Sequence, residues 1–350
     1  MKTQKVALIT GISGQDGSLL SRVLCKKGYR VFGTIREGVQ KLWRLKELGI
    51  LNQVELLPVE GINFHNIVTK IEPCEIYNLA GQSSVATSFD EPFETIHSNG
   101  MITLELLEVI RKQDSGIRFY QASSSEIYGQ SSAFSRDESA PFHPRSPYAV
   151  SKLFSHWLTI NYREAYDIFA CCGILSNHES PLRGEQFVTR KITKHVASYH
   201  LGDLKPLEIG NLDVQRDWGY ANDFVYGMYL MLQQPKPEDF VLATGKLSSV
   251  RDFITLAFNA VNVPIYWKGR GLDEVGFNSA NDGVLVRVST KLFRPSEVFH
   301  SLGNPLKAYN VLNWKNSCSL EDLCAEMVEA DLARLRALAL QPTKCKPLNR

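Results

Sequence analysis

The sequence predicts an α/β protein in which helices cover both faces of a parallel sheet. Strand-like apolar segments alternate with helical patterns through the first half of the chain, and a glycine-rich turn and a helix separate the first two segments. That helix ends at Gly28 and has four apolar residues on one face, Leu19, Leu20, Val23 and Leu24. A strand, a crossover helix and a second strand form a βαβ unit, whose two strands run parallel.

The predicted strands of the first half are short apolar segments at residues 5–10, 30–35, 53–59, 75–80, 118–124 and 168–175. The pattern loosens after about residue 176. It then resumes with strand-like segments at 205–210 and 239–244 and with helices at 250–261 and 319–338.

This organisation predicts two domains. Residues 1–175 should form the first, and a later stretch at about 212–240 should return to it. Residues 176–211 and 241–340 should form a smaller, partly interwoven C-terminal lobe that binds the substrate.

Composition narrows the class of function. With 350 residues, 44% of them hydrophobic, the chain can build one large α/β domain or two closely joined lobes. Its 39 basic and 37 acidic residues nearly cancel, so the overall charge favours neither a nucleic-acid nor a membrane partner. The seven cysteines are an odd number without the CxxC spacing of metal sites. This favours free thiols, no metal and a cytoplasmic location.

The glycine-rich turn is a candidate nucleotide site. The stretch "TGISGQDG" places Gly11, Gly14 and Gly17 at intervals of three residues. Glycines here let the backbone approach a pyrophosphate at a helix N-terminus, where unpaired N–H groups and the helix dipole favour anions. The position within a βαβ unit favours nucleotide binding over a purely structural turn. We therefore expect a Rossmann-type, doubly wound sheet.

The residue after the second strand bears on the choice of cofactor. An NAD-binding protein usually carries an acid there for the ribose hydroxyls. Here Arg36 comes first and Glu37 follows, which favours NADP because an arginine can bind its additional phosphate. The alternative is that Arg36 is solvated and Glu37 binds the ribose, which would make the cofactor NAD.

The stretch "SPYAVSK" places Tyr148 four residues before Lys152 on one helical face. An ammonium about 5 Å from a phenol, at an effective dielectric near 20, favours the phenolate by roughly 3 kcal/mol, or about two pKa units. The pair could therefore act as a base that removes a hydroxyl proton while hydride leaves the same carbon.

Three further residues place this pair in context. Ser124 is predicted to end a strand at the carboxyl edge of the sheet, where ligands bind in doubly wound folds. Asn99 completes an Asn/Ser/Tyr/Lys set, although a helical asparagine more often has a structural role. Glu126 adds a second acid/base group, which could remove a proton from the carbon next to a ketone. The alternative is a solvated acid at the end of a strand.

These motifs resemble known families. The GxxGxxG spacing resembles the extended short-chain dehydrogenase/reductase superfamily. Longer stretches, above all "NHESPLRGEQFVTRKI" and "RDWG", resemble the GDP-mannose 4,6-dehydratase family over most of the chain. The resemblance implies a lyase that converts GDP-mannose to GDP-4-keto-6-deoxymannose with tightly bound NADP, and a homodimer or homotetramer.

The resemblance also implies roles for individual residues. The catalytic residues would be Ser124, Glu126, Tyr148 and Lys152. NADP would be bound through Gly11, Ser13, Gly14, Gln15, Asp16, Arg36, Glu60, Gly61, Leu79, Ala80, Gln82, Ser83, Lys152, His178 and Arg183. The sugar nucleotide would be bound through Ser83, Asn177, Glu185, Val188, Lys191, Arg216, Arg294 and Glu297.

The chain departs from the family pattern at several points. Ser124 replaces a threonine and keeps the hydroxyl, whereas Glu60-Gly61 replaces an Asp-Leu pair at the adenine and Glu94 replaces a tyrosine that contacts NADP. The loop after the second strand is shorter than in the family. Three kinds of alternative therefore stay open. The substrate could be another GDP-sugar, such as GDP-manno-heptose. The activity could be that of a related epimerase, reductase or decarboxylase, or the protein could be a non-catalytic scaffold.

Overall fold

The computed structural model describes residues 4–36, 42–59, 63–113, 116–132, 134–293 and 297–340. They fall into two compact units. The first lies within Met1–Leu182, Val214–Ser248 and Arg294–Cys318, and the second within Arg183–Asp213, Ser249–Phe293 and Ser319–Arg350.

The strands of the described residues are β1 (Val6–Thr10), β2 (Arg30–Ile35), β3 (Val54–Pro58), β4 (Glu75–Asn78), β5 (Arg118–Ala122), β6 (Ser135–Arg136), β7 (Ala170–Leu175), β8 (Asn177–Glu179), β9 (Leu207–Ile209), β10 (Gln215–Arg216), β11 (Trp218–Tyr220), β12 (Phe240–Leu242), β13 (Ser248–Ser249), β14 (Ile265–Lys268), β15 (Val275–Asn278), β16 (Val284–Val288) and β17 (His300–Gly303).

The α-helices of the same residues are α1 (Gln15–Lys26), α2 (Trp43–Glu47), α3 (Phe64–Ile71), α4 (Val85–Asp90), α5 (Pro92–Ile96), α6 (Ile102–Gln113), α7 (Pro147–Tyr166), α8 (Val188–His200), α9 (Ala221–Leu232), α10 (Val250–Asn259), α11 (Leu306–Leu312) and α12 (Leu320–Ala339). A π-helical turn, His97–Met101, joins α5 to α6. None of these helices is both long and apolar enough to cross a membrane.

The first unit contains a seven-stranded sheet in the order β3-β2-β1-β4-β5-β7-β12. All its neighbouring strands pair in parallel, so their carboxyl ends lie at one edge. The strand order reverses at β1, which pairs with β2 on one side and with β4 on the other. The prediction of a doubly wound parallel sheet is therefore confirmed, and the crevice for a ligand is expected outside the ends of β1 and β4.

Helices cover both faces of this sheet because successive side chains of a strand point to opposite faces. Ala7 and Ile9 of β1 belong to a buried cluster that contains apolar residues of α1 and α9. Leu8 lies between them in sequence and belongs to a second cluster, with residues of α3, α6 and α7. Since both faces are buried, the central strands carry apolar residues on both faces and lack the alternation of half-exposed strands.

Two smaller groups of strands also belong to the first unit. β17 pairs in parallel with β10 and β6, and β8 pairs in parallel with β11. Helix α11 packs against β12 and α9.

These pairings correct the predicted domain boundaries. Residues 176–182, 241–248 and 297–318, which the sequence predicts for the smaller lobe, belong to the first unit. The strands concerned are only two to four residues long and lie far apart in the chain, so no local pattern revealed their pairing.

The second unit combines a four-stranded sheet, in the order β14-β15-β16-β9, with helices α8, α10 and α12, which pack against one another. Arg190 of α8 and Asp331 of α12 form a buried ion pair, with 2.8 Å between Arg190 Nε and Asp331 Oδ1. Thr193 donates a further hydrogen bond of 2.8 Å to Asp331 Oδ2. These polar contacts set the register of α8 against α12.

Candidate active site

The glycine turn has the backbone geometry of a nucleotide-binding loop. Gly11 has a φ of +70°, and a Cβ there would lie 3.0 Å from the Cα of Ala80. A Cβ on Gly17 would lie 2.5 Å from the carbonyl oxygen of Gly11. Gly14 begins α1, and no side chain accepts a hydrogen bond from the first turn of the helix as a cap. The bare backbone and the uncapped helix start therefore fit a pyrophosphate.

Threonine at the end of β1 joins this loop to the end of β4. Thr10 Oγ1 donates to Asn78 Oδ1 at 2.7 Å and accepts from the backbone N–H groups of Leu79 and Ala80 at 3.0 Å each. The predicted cofactor residues Gly11, Leu79 and Ala80 are thus brought together where the strand order reverses.

A polar group extends the same crevice. Asp16 Oδ2 lies 2.9 Å from His178 Nε2, and Asp16 Oδ1 accepts from Gln15 Nε2 at 3.0 Å. The Gln15 amide also donates to the carbonyl of His178 at 3.1 Å, and His178 Nδ1 lies 2.8 Å from the carbonyl of Ser176. Three predicted cofactor residues therefore form one hydrogen-bonded group. The His178 ring stacks on Phe224, with 4.6 Å between the centroids.

The remaining cofactor residues of the first unit lie in exposed loops. Arg36 Nη2 lies 3.0 Å from Glu94 Oε1, and both side chains are about half exposed, at 55% and 51%. Ser83 is exposed, and Gln82 donates to Ser84 O at 2.8 Å. Glu37, Glu60 and Gly61, named in the sequence analysis, lie outside the described residues, as does Arg294.

Helix α7 presents the Tyr148–Lys152 pair. The helix begins after Ser146, whose hydroxyl accepts from Ala149 N at 3.1 Å, and Pro147 occupies its first turn. Both side chains of the pair are buried, and Lys152 Nζ lies 5.9 Å from the centroid of the Tyr148 ring. The predicted adjacency is therefore present in the fold.

The ammonium of Lys152 has a tertiary partner. Nζ donates to the carbonyl of Ala122, the last residue of β5, at 3.0 Å. Burial lowers the pKa of Lys152 to about 8, and the negative charge of Asp16 opposes this shift. A lysine in this state is still largely protonated at neutral pH.

Ser124 and Glu126 follow directly after β5. The strand ends at Ala122, two residues before the predicted end, and Ser124 caps a short 3₁₀ turn, Ser125–Ile127, by accepting from Glu126 N at 3.2 Å. Ser124 is buried and Glu126 is half-buried. Both residues therefore lie at the carboxyl edge of the sheet, on the loop that leaves the strand contacted by Lys152.

Asn99 connects the loops of this edge. Its Nδ2 donates to Gln82 O at 3.0 Å and to Ser151 Oγ at 3.1 Å, and its backbone carbonyl accepts from Ser155 Oγ at 2.7 Å. Its Oδ1 is buried and has no hydrogen-bond partner among the described residues. Asn99 thus holds α7 against the loop after β4, which is the structural role weighed for it.

The predicted sugar-nucleotide residues are divided between the units. In the first, Asn177 lies on β8, and the buried Arg216 donates to Val298 O at 2.6 Å and to Glu297 Oε1 at 3.1 Å. The second unit holds Val188, Glu185 and Lys191.

Helix α8 carries or flanks the residues of the second unit. Glu185 pairs with Lys194 at 2.6 Å, and Lys191 Nζ donates to Glu208 O at 2.7 Å. Burial lowers the pKa of Lys191. Arg183, a predicted cofactor residue, stacks its guanidinium 3.7 Å from the centroid of the Phe187 ring.

One residue near Glu126 was missed by the sequence analysis. Arg136 is a fully buried arginine of β6, and the only acceptor for its guanidinium among the described residues is the carbonyl of Gly129, at 3.2 Å from Nη2. No motif marks it, because the stretch around it reads as a charged loop. Only its burial beside the loop that carries Glu126 distinguishes it.

Known proteins resemble this chain along nearly its whole length. The family model described as GDP-mannose 4,6 dehydratase matches residues 8–327. GDP-mannose 4,6 dehydratase 2 of Caenorhabditis elegans is 46% identical over 96% of this chain and 91% of its own length. The GDP-mannose 4,6-dehydratase of Sinorhizobium fredii is 44% identical over 96% and 99%, and that of Homo sapiens is 43% identical over 96% and 93%.

Solved structures share the fold at lower identity. RMD from Pseudomonas aeruginosa, complexed with NADPH, superposes with a TM-score of 0.74 at 21% identity and covers 95% of this chain and 100% of its own. The dTDP-glucose 4,6-dehydratase of Bacillus anthracis, in complex with NAD, gives a TM-score of 0.77 at 17% identity, with coverages of 93% and 96%.

The fold, the Tyr148–Lys152 pair beside the glycine turn, and the matches of sequence and family model agree. This chain belongs to the GDP-mannose 4,6-dehydratase family.

Proposed function

We propose that the protein is a hydro-lyase that converts GDP-mannose to GDP-4-keto-6-deoxymannose and water. The observation that carries this proposal is the convergence of Tyr148, Lys152, Ser124 and Glu126 at one edge of the sheet. A reductase needs only the first three. The additional carboxylate supplies the group that an elimination requires.

The first proton transfer belongs to Tyr148. Its phenolate, stabilised by the positive charge of Lys152, takes the proton of the C4 hydroxyl. The hydroxyl of Ser124 donates a hydrogen bond to the oxygen at C4. Bound NADP would accept the hydride from C4 and later return it to C6.

The elimination belongs to Glu126. Once C4 is a ketone, the proton at C5 is acidic, and the Glu126 carboxylate removes it. The bond between C6 and its hydroxyl breaks, and the hydroxyl takes this proton back from Glu126 and leaves as water. When the hydride returns to C6, a proton from the solvent adds at C5. The reaction therefore loses one water and leaves the oxidation state of the cofactor unchanged.

Recognition of a GDP-sugar requires cations for the diphosphate, and the buried Arg216 of the first unit is a proposed contact. GDP-manno-heptose, or another GDP-hexose, would use the same contact. A related epimerase would also use the Tyr148–Lys152 pair, but it would have no elimination step for Glu126.

The decisive experiment is incubation with a panel of GDP-sugars, followed by mass analysis in deuterated water. We expect GDP-mannose to lose the mass of one water and to gain solvent deuterium at C5, with no net change in cofactor absorbance. Tyr148→Phe should lower turnover by about 10²- to 10⁴-fold because it removes the base.

Other outcomes would contradict the proposal. A product of unchanged mass indicates an epimerase, stoichiometric consumption of cofactor indicates a reductase, and loss of carbon dioxide indicates a decarboxylase. Negligible and equal rates in the wild type and Tyr148→Phe indicate a non-catalytic scaffold.

NADP is the proposed cofactor because Arg36 stands at the end of β2. The Arg36 guanidinium donates a hydrogen bond to the exposed carboxylate of Glu94, so the 2′-phosphate of NADP would have to replace this carboxylate. We expect Arg36→Ala to weaken NADP binding by about 10- to 100-fold, because hydrogen bonds to charged groups are worth about 1.5–3 kcal/mol. NAD binding should change little. Titration calorimetry with both nucleotides measures this.

Glu94→Gln is the matched control for this prediction. It frees Arg36 without removing it and should strengthen NADP binding relative to NAD. If Arg36→Ala weakens the binding of NADP and NAD equally, or if the wild type binds NAD more tightly, the cofactor is the alternative, NAD.

The buried charge of Lys152 predicts a pH-dependent effect on stability. Its pKa of about 8 lies below the 10.5 of an ordinary lysine, so unfolding takes up a proton at intermediate pH. The cost of burying the charge is therefore fully present below about pH 8 and disappears as the pH rises toward 10.5. The difference across this window is on the order of 3 kcal/mol.

Lys152→Met tests this effect. The free energy of unfolding of the variant minus that of the wild type should be larger at pH 7 than at pH 10. The variant should also lose turnover. Urea unfolding at both pH values measures the difference. An identical difference between the two proteins at pH 7 and pH 10 would show that the native fold does not lower the pKa of Lys152.

We also propose a homodimer or homotetramer that acts in the cytoplasm. The described cysteines are free thiols, in keeping with that compartment. Helix α7 exposes Val150, Phe154 and Trp157 on one face, each about half exposed, and Phe93 of the neighbouring α5 is 89% exposed. Contiguous apolar surface of this kind usually marks an interface between proteins.

Trp157→Glu should shift the assembly toward monomers, because a charge at an apolar interface must be desolvated. Light scattering after gel filtration measures the mass. Leu204→Glu, on an exposed leucine of the second unit, is the control and should leave the mass unchanged. Equal masses for the wild type and both variants would place the interface elsewhere.

A further inference from the structure

Arg136 is a buried arginine with unused donors. Its side chain is 2% exposed, and only Nη2 has an acceptor, the carbonyl of Gly129. Nε and Nη1 are buried and have no hydrogen-bond partner among the described residues. Buried guanidinium groups normally pair with carboxylates or fill their donors. Among the described residues, no carboxylate pairs with the Arg136 guanidinium, and two of its three nitrogens have no acceptor. Packing alone therefore does not account for a buried arginine at this position.

The β6 segment holds the loop that carries Glu126. Arg136 bonds the carbonyl of Gly129, and the Tyr128 hydroxyl donates to the carbonyl of Asp137 at 2.6 Å. The loop closes on itself through Gly129 N and Glu126 O at 3.1 Å. Gly129 itself has a positive φ and packs against the carbonyl of His143, so this end of the loop has little freedom.

The register of the small sheet places a second arginine on the same face. Arg216 of β10 pairs with Ser301, and Arg136 of β6 pairs with Gly303. Paired residues point to the same face, and residues two apart on β17 do so as well. Glu297 pairs with Arg216, so this carboxylate is not available to Arg136.

Charge links Arg136 to Glu126. Burial lowers the pKa of Arg136, the positive charge of Arg216 adds to this shift, and the carboxylate of Glu126 opposes it. Glu126 is therefore the acidic side chain whose charge acts on the buried guanidinium. The geometry agrees, because Arg136 bonds Gly129, three residues after Glu126 on the same loop.

We propose that Arg136 is a positioning residue for Glu126: it anchors the loop that carries the glutamate and places a positive charge on that side of the loop, so that the carboxylate is oriented toward the C5 proton. Arg136 exchanges no proton itself. The inference rests on the proposed dehydration, and it concerns only the elimination step.

The test separates the two halves of the reaction. In Arg136→Gln, oxidation at C4 should proceed and water loss should slow by roughly 100-fold, the effect of removing one electrostatic contact from a catalytic group. A single turnover of GDP-mannose should then accumulate reduced cofactor, and deuterium exchange at C5 should slow to match. KM should stay within about threefold, because the substrate does not bind Arg136.

Two further variants control for structural damage. Arg136→Lys keeps the positive charge and should recover most of the rate of C5 exchange. Tyr128→Phe removes the other anchor of the loop without changing a charge and should slow exchange by less than about tenfold. Thermal unfolding and cofactor content of each variant show whether the fold is intact.

Several results would overturn the inference. Arg136→Gln could slow C4 oxidation and C5 exchange equally, or it could slow neither. Arg136→Lys could fail to recover the rate of C5 exchange. Tyr128→Phe could slow C5 exchange as much as Arg136→Gln does. Failure of the proposed function looks different, because the wild type would then neither lose water nor exchange the C5 proton.

Discussion

A single hydrogen bond, from the buried ammonium of Lys152 to the carbonyl of Ala122, connects the two elements on which the candidate site depends. It joins helix α7 to the end of β5. Tyr148 lies one turn before Lys152 on the helix, and Ser124 and Glu126 follow Ala122 on the chain. The carbonyl therefore sets where the phenol stands relative to the serine and the glutamate.

The parallel sheet makes this arrangement possible. Because all seven strands share one direction, the loops after β1, β4 and β5 leave from the same edge. The glycine turn, the Leu79–Ala80 backbone and the Ser124–Glu126 loop are thereby brought to one side of the molecule. Thr10 and Asn99 tie these loops together by side-chain hydrogen bonds to backbone atoms. The flexible parts of the site are thus held by rigid elements.

Buried charge is the energetic cost of this site. Lys152, Asp16 and Arg136 are all removed from water to some degree, and charges so placed are expensive unless they are paired. Asp16 accepts a hydrogen bond from Gln15 and lies 2.9 Å from His178 Nε2, and its charge opposes the lowering of the Lys152 pKa. Arg216 has Glu297. Arg136 has no such partner among the described residues, and it bonds the loop that carries Glu126 through the carbonyl of Gly129. Stability and reactivity are therefore in conflict at these positions.

The sequence alone determined the class of fold, the seven strands of the main sheet and the adjacency of Tyr148 and Lys152 on one helix. These follow from local signals, since apolar segments, a glycine turn in a βαβ unit and an i, i+4 pair are all contained within short stretches. The resemblance to the family added most of the binding residues, of which those in the described part of the chain now have a place in one unit or the other. Their roles in binding are still predictions.

Only the tertiary structure decided what depends on contacts between distant stretches. The return of 297–318 to the first unit depends on the pairing of β17 with β10 and β6. Three other features depend on contacts between distant parts of the chain. They are the burial of Lys152, the ion pair of Arg36 with Glu94 and the lack of an acidic partner for Arg136 among the described residues. Charge and hydrogen bonding act through space, so their consequences at these residues become visible only when the chain is folded.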